Sequence, residues 1–298
     1  MKLVSILMPV YNCENFIAAS VQSILDQTHT NFELIIIDDK STDRTVEIIS
    51  SFRDKRIKFF LNKKNIGITA TLNAHLRYCK GTLTARMDGD DIAHAQRIER
   101  QVGFLEKNKQ IDLLGSYYII KKSGNIDNII VRRQTDDKKI RFHMLFRNQF
   151  LHPAVMIKTK LLHQLRYRDV STCEDYDLWA RCLKYARVAN CPEILMIYRW
   201  HGQNVSIINQ PALRKSIILI ISELLNEYEV EHTQEELLLQ TMIALGFEKE
   251  HLSILNKLEP MALWLNKLRS SEALNRRFGT SFLNNEIREY FDLYEFDY

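Results

Sequence analysis

The chain has 298 residues, 46% of them hydrophobic and 26% charged, which is the usage of ordinary soluble globular proteins and excludes fibrous, collagenous and multi-span membrane classes. Its 41 Lys and Arg residues against 37 Asp and Glu leave a formal charge of +4, too small to indicate a nucleic-acid groove. The 5 cysteines are an odd number in a chain too long to be a disulfide scaffold, which favours a reducing compartment.

The N-terminal part of the chain alternates short β-branched runs with amphipathic stretches, a pattern typical of βαβ units in a mostly parallel sheet. Four strands are predicted, over Val4–Met8, Leu34–Ile37, Ile57–Leu61 and Leu83–Met87. Apolar residues at helical spacing predict helices over Phe16–Asp26 and Thr42–Phe52. Pro9 and the polar residues after it interrupt the first apolar run, which favours a strand over a signal peptide.

The pattern changes after the fourth strand. A helix is predicted over Ala95–Lys107, and the runs Leu113–Ile120 and Ile129–Arg132 then indicate an antiparallel hairpin with Ser123-Gly124-Asn125 at its tip. Two more strands and a helix follow, over Ala154–Ile157, Ile194–Tyr198 and Tyr176–Tyr185. From residue 211 only helical periodicity remains, and no apolar run approaches the roughly 20 residues of a membrane span.

Polar residues directly follow three of the predicted strands. The first strand ends in Pro9-Val10-Tyr11-Asn12, the second in Asp38-Asp39, and the fourth in Arg86-Met87-Asp88-Gly89-Asp90-Asp91. Ligands of doubly wound sheets bind beyond the carboxyl ends of the strands. The three ends are therefore expected to meet in one crevice and to form one binding site.

The acidic run that starts at Asp88 has more than one explanation. A run of this composition is commonly a turn. A calcium loop of the EF-hand type is excluded, because Ile92 and Ala93 occupy the positions of a ligand and of the sharp-turn glycine. Carboxylates at the tip of a buried strand, with Gly89 allowing close backbone approach, suit Mg²⁺ or Mn²⁺ bound together with substrate phosphates.

Two further carboxylate pairs leave alternatives open. Asp38 and Asp39 either form an Asx-rich turn or accept hydrogen bonds from a nucleobase and a ribose. A phosphoacceptor pocket of the receiver type would need a later lysine and a much shorter chain. Glu174 and Asp175 lie at the start of a predicted helix, where the helix dipole alone favours acidic residues, but a carboxylate there could also take the proton of an acceptor hydroxyl.

Taken in order, these segments resemble the family 2 glycosyltransferases of the GT-A fold over residues 3–205. The segment VSILMPVYNCENFIAASVQSILDQTHTNFELIIIDDKSTDRT is similar to the N-terminal signature of that family, and ARMDGDDIAHAQRIERQ resembles its metal-binding segment. HPAVMI, CEDYDLWARC and YRWHGQNVS resemble its acceptor-side elements. The chain departs from the family pattern at Ala95 and Gln96, where a proline and an aspartate usually precede Arg97, and this departure concerns the start of the local helix.

The resemblance implies roles for the residues at the strand ends. Contacts to the donor nucleotide are implied for Pro9, Tyr11, Asn12, Asp39, Arg86 and Asp88. Asp90 resembles the principal ligand of a Mn²⁺ or Mg²⁺ ion that bridges the donor diphosphate, with Asp88 and His201 as further metal-binding residues.

The resemblance also implies the residues that act on the acceptor. Asp175 resembles the general base that deprotonates the acceptor hydroxyl, and Glu174 a residue that positions substrate or the loop. The resemblance also implies that His152 and Trp179 bind the acceptor. Since one base and one in-line attack invert the anomeric centre, the resemblance implies an inverting enzyme.

An α/β fold of the GT-A type follows from the resemblance: a Rossmann-like, mostly parallel central sheet flanked by helices, with a small antiparallel element and a C-terminal helical appendage. Residues 1–92 would form the nucleotide-sugar-binding half, 93–208 the acceptor-binding half, and 209–298 a helical region outside the resemblance. For that helical region, packing on the catalytic domain is favoured over homo-oligomer formation and over contact with a membrane.

We therefore expect a metal-assisted glycosyltransferase that moves a sugar from a nucleotide-diphosphate donor, with UDP as the carrier, to a glycan or lipid-linked acceptor of bacterial lipopolysaccharide or capsule. Two alternatives are a non-catalytic nucleotide-sugar- or carbohydrate-binding protein on the same fold and a sugar nucleotidyltransferase, although PVYNCEN lacks the phosphate loop of the latter. No nucleic-acid partner is expected. The expected location is the cytoplasm, with peripheral contact to the inner face of the cytoplasmic membrane left open.

Overall fold

The computed structural model describes residues 2–122, 128–201 and 210–295. The strands in chain order are β1 Val4–Val10, β2 Phe32–Asp38, β3 Ile57–Leu61, β4 Leu83–Arg86, β5 Ile92–Ala93, β6 Ile111–Lys122, β7 Asn128–Val131, β8 Met156–Lys158 and β9 Arg187–Trp200. The helices among them are α1 Ile17–Leu25, α2 Thr45–Ser51, α3 Ile68–His75, α4 Arg97–Lys107, α5 Asp137–His143, α6 Thr159–Leu165 and α7 Glu174–Cys182. Short 3₁₀ turns cover Leu76–Tyr78 and His152–Ala154.

The strands form one sheet in the order β3, β2, β1, β4, β8, β6, β9, β5, with β7 paired to β6. β1 is parallel to both β2 and β4, and β2 is parallel to β3. β8 is antiparallel to β4 and to β6, whereas β5 and β7 are antiparallel additions to β9 and β6. This arrangement confirms the predicted α/β class with a mostly parallel sheet and a smaller antiparallel element.

Every residue of β1 and of β2 is buried, as predicted for strands with helices on both faces. Their apolar side chains join those of α1 and α4 in one core, for example Ile6, Ile36, Ile24 and Ile98, each of which is completely buried. This core holds the strand ends in place, so the polar residues that follow the strands start from a rigid base.

β9 is much longer than the predicted strand because an irregularity interrupts the sequence pattern. Ser116 of β6 pairs with Cys191, and the next residue of β6 pairs with Ile194. Pro192 and Glu193 therefore form a bulge, which is where a proline can be accommodated in a strand. Beyond the bulge the parallel pairing resumes and extends to Trp200.

Other predicted boundaries differ for local reasons. The helix predicted from Ala95 begins at Arg97, and residues 154–155 precede rather than belong to β8. The helices α3, α5 and α6 were not predicted; α3, with the sequence ITATLNAH, has too few apolar residues at helical spacing to stand out. The predicted hairpin is present as β6 and β7, but its tip, Ser123-Gly124-Asn125, lies outside the described residues, as does the predicted boundary between residues 208 and 209.

The chain forms two compact units. The first comprises Met1–Asp137, Gln149–Val170 and Glu174–Ile208 and contains the sheet. The second comprises Lys138–Asn148, Ser171–Cys173 and Asn209–Tyr298. Its C-terminal helices are α8 Gln210–Glu227, α9 Gln234–Ala244, α10 Lys249–Ile254, α11 Leu258–Ser270, α12 Glu272–Phe278 and α13 Thr280–Tyr294. Among the described residues, every helix is too short or too polar to span a membrane.

The second unit has a core of its own that includes satisfied polar groups. The buried Trp264 Nε1 donates to Gln240 Oε1 at 2.7 Å, and Gln240 Nε2 donates to the Leu145 carbonyl at 2.7 Å. The rings of Phe146 and Tyr290 stack with centroids 3.9 Å apart. These contacts fasten the C-terminal helices to the segment Lys138–Asn148 within the same unit.

A buried ionic group completes this core. Glu286 is 4% exposed, lies 2.7 Å from His143 Nε2 and 2.8 Å from Lys139 Nζ, and Glu289 lies within reach of the same group. Burial alone would raise the pKa of Glu286, but the hydrogen bonds from Lys139 and His143 outweigh burial and lower it. Since Lys139 already supplies the positive charge, the group is an internal ion pair rather than a metal centre.

Candidate active site

The carboxyl ends of β1, β2 and β4 lie side by side at one edge of the sheet, because these strands are parallel neighbours. The pairing continues past their ends: the Asp39 N–H donates to the Val10 carbonyl at 2.9 Å, and the Met87 N–H to the Leu7 carbonyl at 3.1 Å. The three polar strand ends that the sequence singles out therefore lie together in the first unit.

The loop after β1 is fixed by Asn12. Asn12 has a φ of 48°, in the left-handed region that Asn tolerates better than most residues. Its N–H donates to Ser41 Oγ at 2.9 Å, and its Oδ1 accepts from the Thr42 N–H at 2.8 Å. Pro9 is buried within β1, whereas the Tyr11 side chain is 49% exposed and available to a ligand.

The two aspartates at the end of β2 do different things. Asp38 Oδ1 accepts from the backbone N–H three residues later at 2.8 Å, which is the turn role that the sequence left open. Asp39 instead holds the loop that follows β3. Its Oδ1 accepts from Asn62 Nδ2 at 2.8 Å and from the Ile66 N–H at 3.0 Å, and its Oδ2 accepts from the Gly67 N–H at 2.8 Å.

The carboxylates after β4 form an acidic cluster of Asp88, Asp90 and Asp91, in which one oxygen of each residue lies within 4.8 Å of those of the others. Gly89 is required between them, because an added Cβ would lie 2.7 Å from Val10 Cγ1. The glycine lets the chain turn tightly against β1, which brings the three carboxylates together.

The electrostatics of the acidic cluster favour a bound cation. Burial raises the pKa of Asp88, with Arg86 opposing this change and Asp90 adding to it. Burial, followed by the charges of Asp88 and Asp90, also raises the pKa of Asp91 well above its usual value. Asp91 Oδ2 is buried and has no hydrogen-bond partner among the described residues. Clustered carboxylate oxygens of this kind are the ligands that Mg²⁺ and Mn²⁺ prefer, so the residues fit a divalent metal.

Two buried arginines hold the backbone and side chains next to the acidic cluster. Arg86, at the end of β4, is 2% exposed and donates to Asp88 Oδ1 at 2.6 Å and to the Met87 carbonyl. Arg97, at the start of α4, is fully buried and donates to the Arg86 carbonyl at 2.8 Å. Burial lowers the pKa of Arg97 to about 9.

The end of β9 reaches the acidic cluster because β5, directly after the cluster, pairs with β9. The Arg199 N–H donates to Asp91 Oδ1 at 2.9 Å, and the Arg199 guanidinium donates to the Asp90 carbonyl. His201 Nε2 lies 3.0 Å from Asp90 Oδ2, and its ring stacks on Phe16 with centroids 4.4 Å apart. The structure thus places His201 beside the predicted metal ligand.

Glu174 and Asp175 form a second carboxylate pair, at the first turn of α7. Glu174 is 7% exposed, whereas Asp175 is more accessible and accepts from the Tyr176 N–H at 2.7 Å. Burial, followed by the charge of Asp175, raises the pKa of Glu174 from 4.5 to about 7. The raised pKa lets Glu174 hold a proton close to neutral pH, and two neighbouring carboxyl groups in different surroundings can divide acid and base roles.

The orientation of α7 is set by Asp177, which is 1% exposed. Its carboxylate pairs with Arg168 and accepts from Arg181 Nε at 2.8 Å. Arg181 Nη1 also donates to the Leu165 carbonyl at 2.8 Å. This buried ionic network fastens the helix to the segment after α6 and so fixes where its first turn lies.

His152 and Trp179, which the family resemblance assigns to the acceptor side, are buried close to the Glu174–Asp175 pair. Trp179 is fully buried and its ring packs edge-on against Phe150 and His152. His152 is 8% exposed, with Nδ1 3.6 Å from Glu174 Oε1 and Nε2 3.0 Å from the Tyr167 hydroxyl. Neither ring presents a surface to a ligand, so we assign both residues to the support of the site.

Sequence reasoning missed three residues that the structure brings into the site: Arg199, Tyr167 and Ser20. It included Asp91 in the acidic run but gave it no role of its own. Arg199 lies within the recognised segment YRWHGQNVS, so that segment could have pointed to it. Ser20 donates to the Gly89 carbonyl at 2.7 Å and accepts from Arg199 at 2.7 Å. It lies within the recognised N-terminal segment, but its residue type does not indicate a role. Tyr167 lies in an irregular segment and carries no sequence signal.

Sequence comparison places these features in a known family. The family described as Glycosyl transferase family 2 matches residues 5–160, just over half of the chain. WfgD of Escherichia coli, a UDP-Glc:alpha-D-GlcNAc-diphosphoundecaprenol beta-1,3-glucosyltransferase, is 35% identical over 207 residues, which is 68% of this chain and 79% of that protein.

Solved structures share the fold. TarS 1–349 of S. aureus in complex with UDP-GlcNAc superposes with a TM-score of 0.66 at 19% identity, covering 99% of this chain and 91% of that one. The mannosyltransferase PcManGT from Pyrobaculum calidifontis in complex with GDP-Man and Mn²⁺ gives 0.57 at 14% identity, covering 99% and 88%. The fold is therefore GT-A-like, and the chain belongs to glycosyl transferase family 2 as a glycosyltransferase that uses a nucleotide sugar.

Proposed function

We propose that this glycosyltransferase transfers a hexose from a UDP-sugar to a lipid-linked glycan and inverts the anomeric carbon. The observation that carries the proposal is the presence, in one unit, of two carboxylate groups with different surroundings: the acidic cluster at the sheet edge and the Glu174–Asp175 pair at the start of α7. Displacement at an anomeric carbon needs positive charge on the departing diphosphate and a base on the attacking hydroxyl.

The donor nucleotide is assigned to the edge formed by β1 and β2. The exposed Tyr11 side chain can cover a base, and the backbone of Pro9 and Asn12 lines the same edge. Asp39 keeps acceptor capacity on Oδ2, which has one hydrogen bond from Gly67, so it can still receive a base N–H or a ribose hydroxyl. Asp88 is assigned to the ribose and the diphosphate.

The acidic cluster is assigned to a Mn²⁺ or Mg²⁺ ion, with Asp90 and Asp88 as ligands and His201 beside them. When bound, the ion supplies positive charge that stabilises the departing diphosphate. The protein holds the two ligands in place. Arg86 fixes the carboxylate of Asp88, and the contact between His201 Nε2 and Asp90 Oδ2 orients the carboxylate of Asp90.

Asp175 is assigned as the general base. It takes the proton of the acceptor hydroxyl as that oxygen forms its bond to the anomeric carbon; the bond from this carbon to the diphosphate oxygen breaks, and UDP leaves with the electron pair. The raised pKa of Glu174 supports this division, because a carboxyl that holds a proton near neutral pH is a poor base. Asp175, the more accessible member of the pair, is then the one assigned to take the proton.

The substrates are proposed from the relatives. WfgD acts with UDP-Glc on alpha-D-GlcNAc-diphosphoundecaprenol. By analogy we propose UDP-glucose as the first donor to test and a diphosphate-linked GlcNAc lipid as the first acceptor, within the synthesis of a bacterial surface polysaccharide. UDP-GlcNAc, the ligand of the TarS complex, is the second donor.

The test is transfer by the purified chain from each UDP-sugar to a short-chain GlcNAc-diphosphate lipid in the presence of Mn²⁺. Asp175→Asn should lower kcat by about 10³-fold or more while UDP binding survives, because the substitution removes the base and keeps the shape. Asp169→Asn, an exposed carboxylate on the preceding segment, is the matched control and should retain parental activity. Turnover of Asp175→Asn within a few-fold of the parent would contradict the assignment of the base.

A further inference from the structure

A line of three buried polar side chains lies behind the first turn of α7: Tyr167, His152 and Glu174, which are 5%, 8% and 7% exposed. The Tyr167 hydroxyl lies 3.0 Å from His152 Nε2, and His152 Nδ1 lies 3.6 Å from Glu174 Oε1. Each ring nitrogen of His152 thus faces a different polar group of the protein, and only one of these groups belongs to the proposed catalytic pair.

The imidazole of His152 is neutral in this environment. Burial, followed by the nearby charge of Arg86, keeps the pKa of His152 well below its usual value. A neutral imidazole has one N–H donor and one nitrogen that accepts, so its function depends on which nitrogen carries the hydrogen.

Tyr167 decides which tautomer forms. Burial raises the pKa of the Tyr167 hydroxyl, so the hydroxyl keeps its hydrogen. Among the described residues, the hydrogen-bond partner of this hydroxyl is His152 Nε2. If Nε2 carried the imidazole hydrogen, the buried tyrosine hydrogen would have no acceptor, which is costly. The favoured arrangement is that Tyr167 O–H donates to Nε2 and that Nδ1–H points toward Glu174 Oε1.

We propose that Tyr167 and His152 are positioning residues for the glycosyl transfer: Tyr167 selects the Nδ1–H tautomer of His152, and this N–H orients the Glu174 carboxyl beside Asp175. The proposal rests on the proposed function of the Glu174–Asp175 pair. The separation of 3.6 Å is slightly longer than a hydrogen bond, and contacts of this kind commonly tighten when substrate binds.

Other charged and titratable groups act on this line of side chains. Arg86 and Asp88 act on Glu174 from the end of β4, and Asp175 acts on it from α7. Arg86, Glu174, Asp175 and Cys182 act on Tyr167. Since Tyr167→Phe changes none of these charges, a change of pH dependence in that variant reports on the line of hydrogen bonds rather than on net charge.

Tyr167→Phe removes a single hydroxyl and is the first test. With its donor lost, Nε2 can carry the hydrogen, and Nδ1 then turns a lone pair toward Glu174. We expect kcat to fall about tenfold with the donor KM within about twofold, because a misoriented Glu174 carboxyl affects the transfer step rather than the binding of the donor. An N–H that faces a carboxylate favours its charged form, so losing it should raise the pKa of Glu174 and move the basic limb of the kcat/KM profile, where Glu174 loses its proton, to higher pH. Tyr185→Phe, at an exposed tyrosine, is the matched control.

Two substitutions of His152 separate the two ends of the line. In His152→Asn the side-chain amide can place an N–H near the position of Nδ1, whereas in His152→Gln it replaces the more distant Nε2. We expect the Asn variant to keep a basic limb close to that of the parent and the Gln variant to shift like Tyr167→Phe. Equal pH profiles for both variants, with similar thermal unfolding midpoints, would overturn the proposal.

A readout that does not need turnover completes the experiment. In protein labelled with ¹⁵N at histidine, two-bond correlation spectra identify which ring nitrogen carries hydrogen, and the His152 signals are those missing in His152→Asn. The parent should show the Nδ1–H tautomer at pH 7, and Tyr167→Phe should lose it. An Nε2–H tautomer in the parent would refute the proposal whether or not sugar is transferred. Full activity of Asp175→Asn together with the Nδ1–H tautomer would instead contradict the proposed function alone.

Discussion

At the scale of single residues, the carboxylates of the first unit fall into two kinds. Asp177 is buried but neutralised by Arg168 and Arg181, so it acts in the structure. Asp88 and Asp91 also accept hydrogen bonds, yet burial and the charges of neighbouring carboxylates raise their pKa values. The acidic cluster therefore has an excess of negative charge. That excess is what distinguishes a site for a cation from an internal ion pair.

Asp90→Ala is expected to abolish the response to metal. Removing the proposed principal ligand should lower kcat at saturating donor by about 10²-fold or more, because the charge on the departing diphosphate is no longer stabilised. Activity is measured as Mn²⁺ is titrated from zero to saturation. Asp26→Ala, an exposed aspartate at the end of α1, serves as the control and should follow the parental titration curve. A parental Mn²⁺ response in Asp90→Ala would show that the ion is held elsewhere.

At the scale of elements, the site depends on where strands and helices end. The turn after β4 approaches β1 and α1 so closely that Gly89 has no room for a side chain. The position of the first turn of α7 is set by side chains of this helix other than Glu174 and Asp175, above all by the hydrogen bond that Asp177 accepts from Arg181. Site geometry is therefore set by the packing of elements as much as by the reactive residues themselves.

Gly89→Ala tests the close approach at the acidic cluster. The new Cβ would lie 2.7 Å from Val10 Cγ1 and 3.0 Å from Cys13 Sγ, so the strand end must shift, at a cost of about 2 kcal/mol in the free energy of unfolding. Gly103→Ala, in the middle of α4 with nothing within 4 Å of the new Cβ, should instead stabilise the protein by up to about 1 kcal/mol. Urea unfolding followed by circular dichroism measures both; equal effects of the two substitutions would contradict the predicted clash.

Glu286→Gln tests the ion pair of the second unit. The pKa of Glu286 in the folded protein is lowered from 4.5, so its stabilising effect is complete above the unfolded pKa and is lost as the pH falls through the folded value. We expect a loss of about 2 kcal/mol in the free energy of unfolding at pH 7 and a smaller difference from the parent below pH 4.5. Glu259→Gln, at an exposed glutamate of α11 outside this group, is the control. An unchanged difference across this pH range would rule out the ionic contribution.

At the scale of the whole molecule, the sheet order decides which distant segments meet. β9 is separated from β4 by about 100 residues of chain, yet its pairing with β5 brings His201 to Asp90. The match to glycosyl transferase family 2 also decides between the alternatives that the sequence left open, in favour of a glycosyltransferase.

UDP and Mn²⁺ should stabilise the complete chain together more than either does alone, since the ion is proposed to bridge the acidic cluster and the diphosphate. At a UDP concentration of 100 times Kd the expected gain is about 2.7 kcal/mol, seen as a rise in the thermal unfolding midpoint. The same measurement with GDP or with the Asp90→Ala variant should give a smaller rise. Equal shifts with GDP and UDP would contradict the choice of UDP as carrier.

The sequence alone determined the α/β class, the four parallel strands and the family, because burial on both faces imposes apolar runs and the strand ends carry short polar segments that resemble those of the family. It also singled out Asp88, Asp90, Glu174 and Asp175. Only the tertiary structure decided that Trp179 and His152 are buried, that Tyr167 faces His152 and that Arg199 reaches Asp91. Periodicity reports on local environment, whereas these contacts arise from strand order and side-chain packing between segments far apart in the chain.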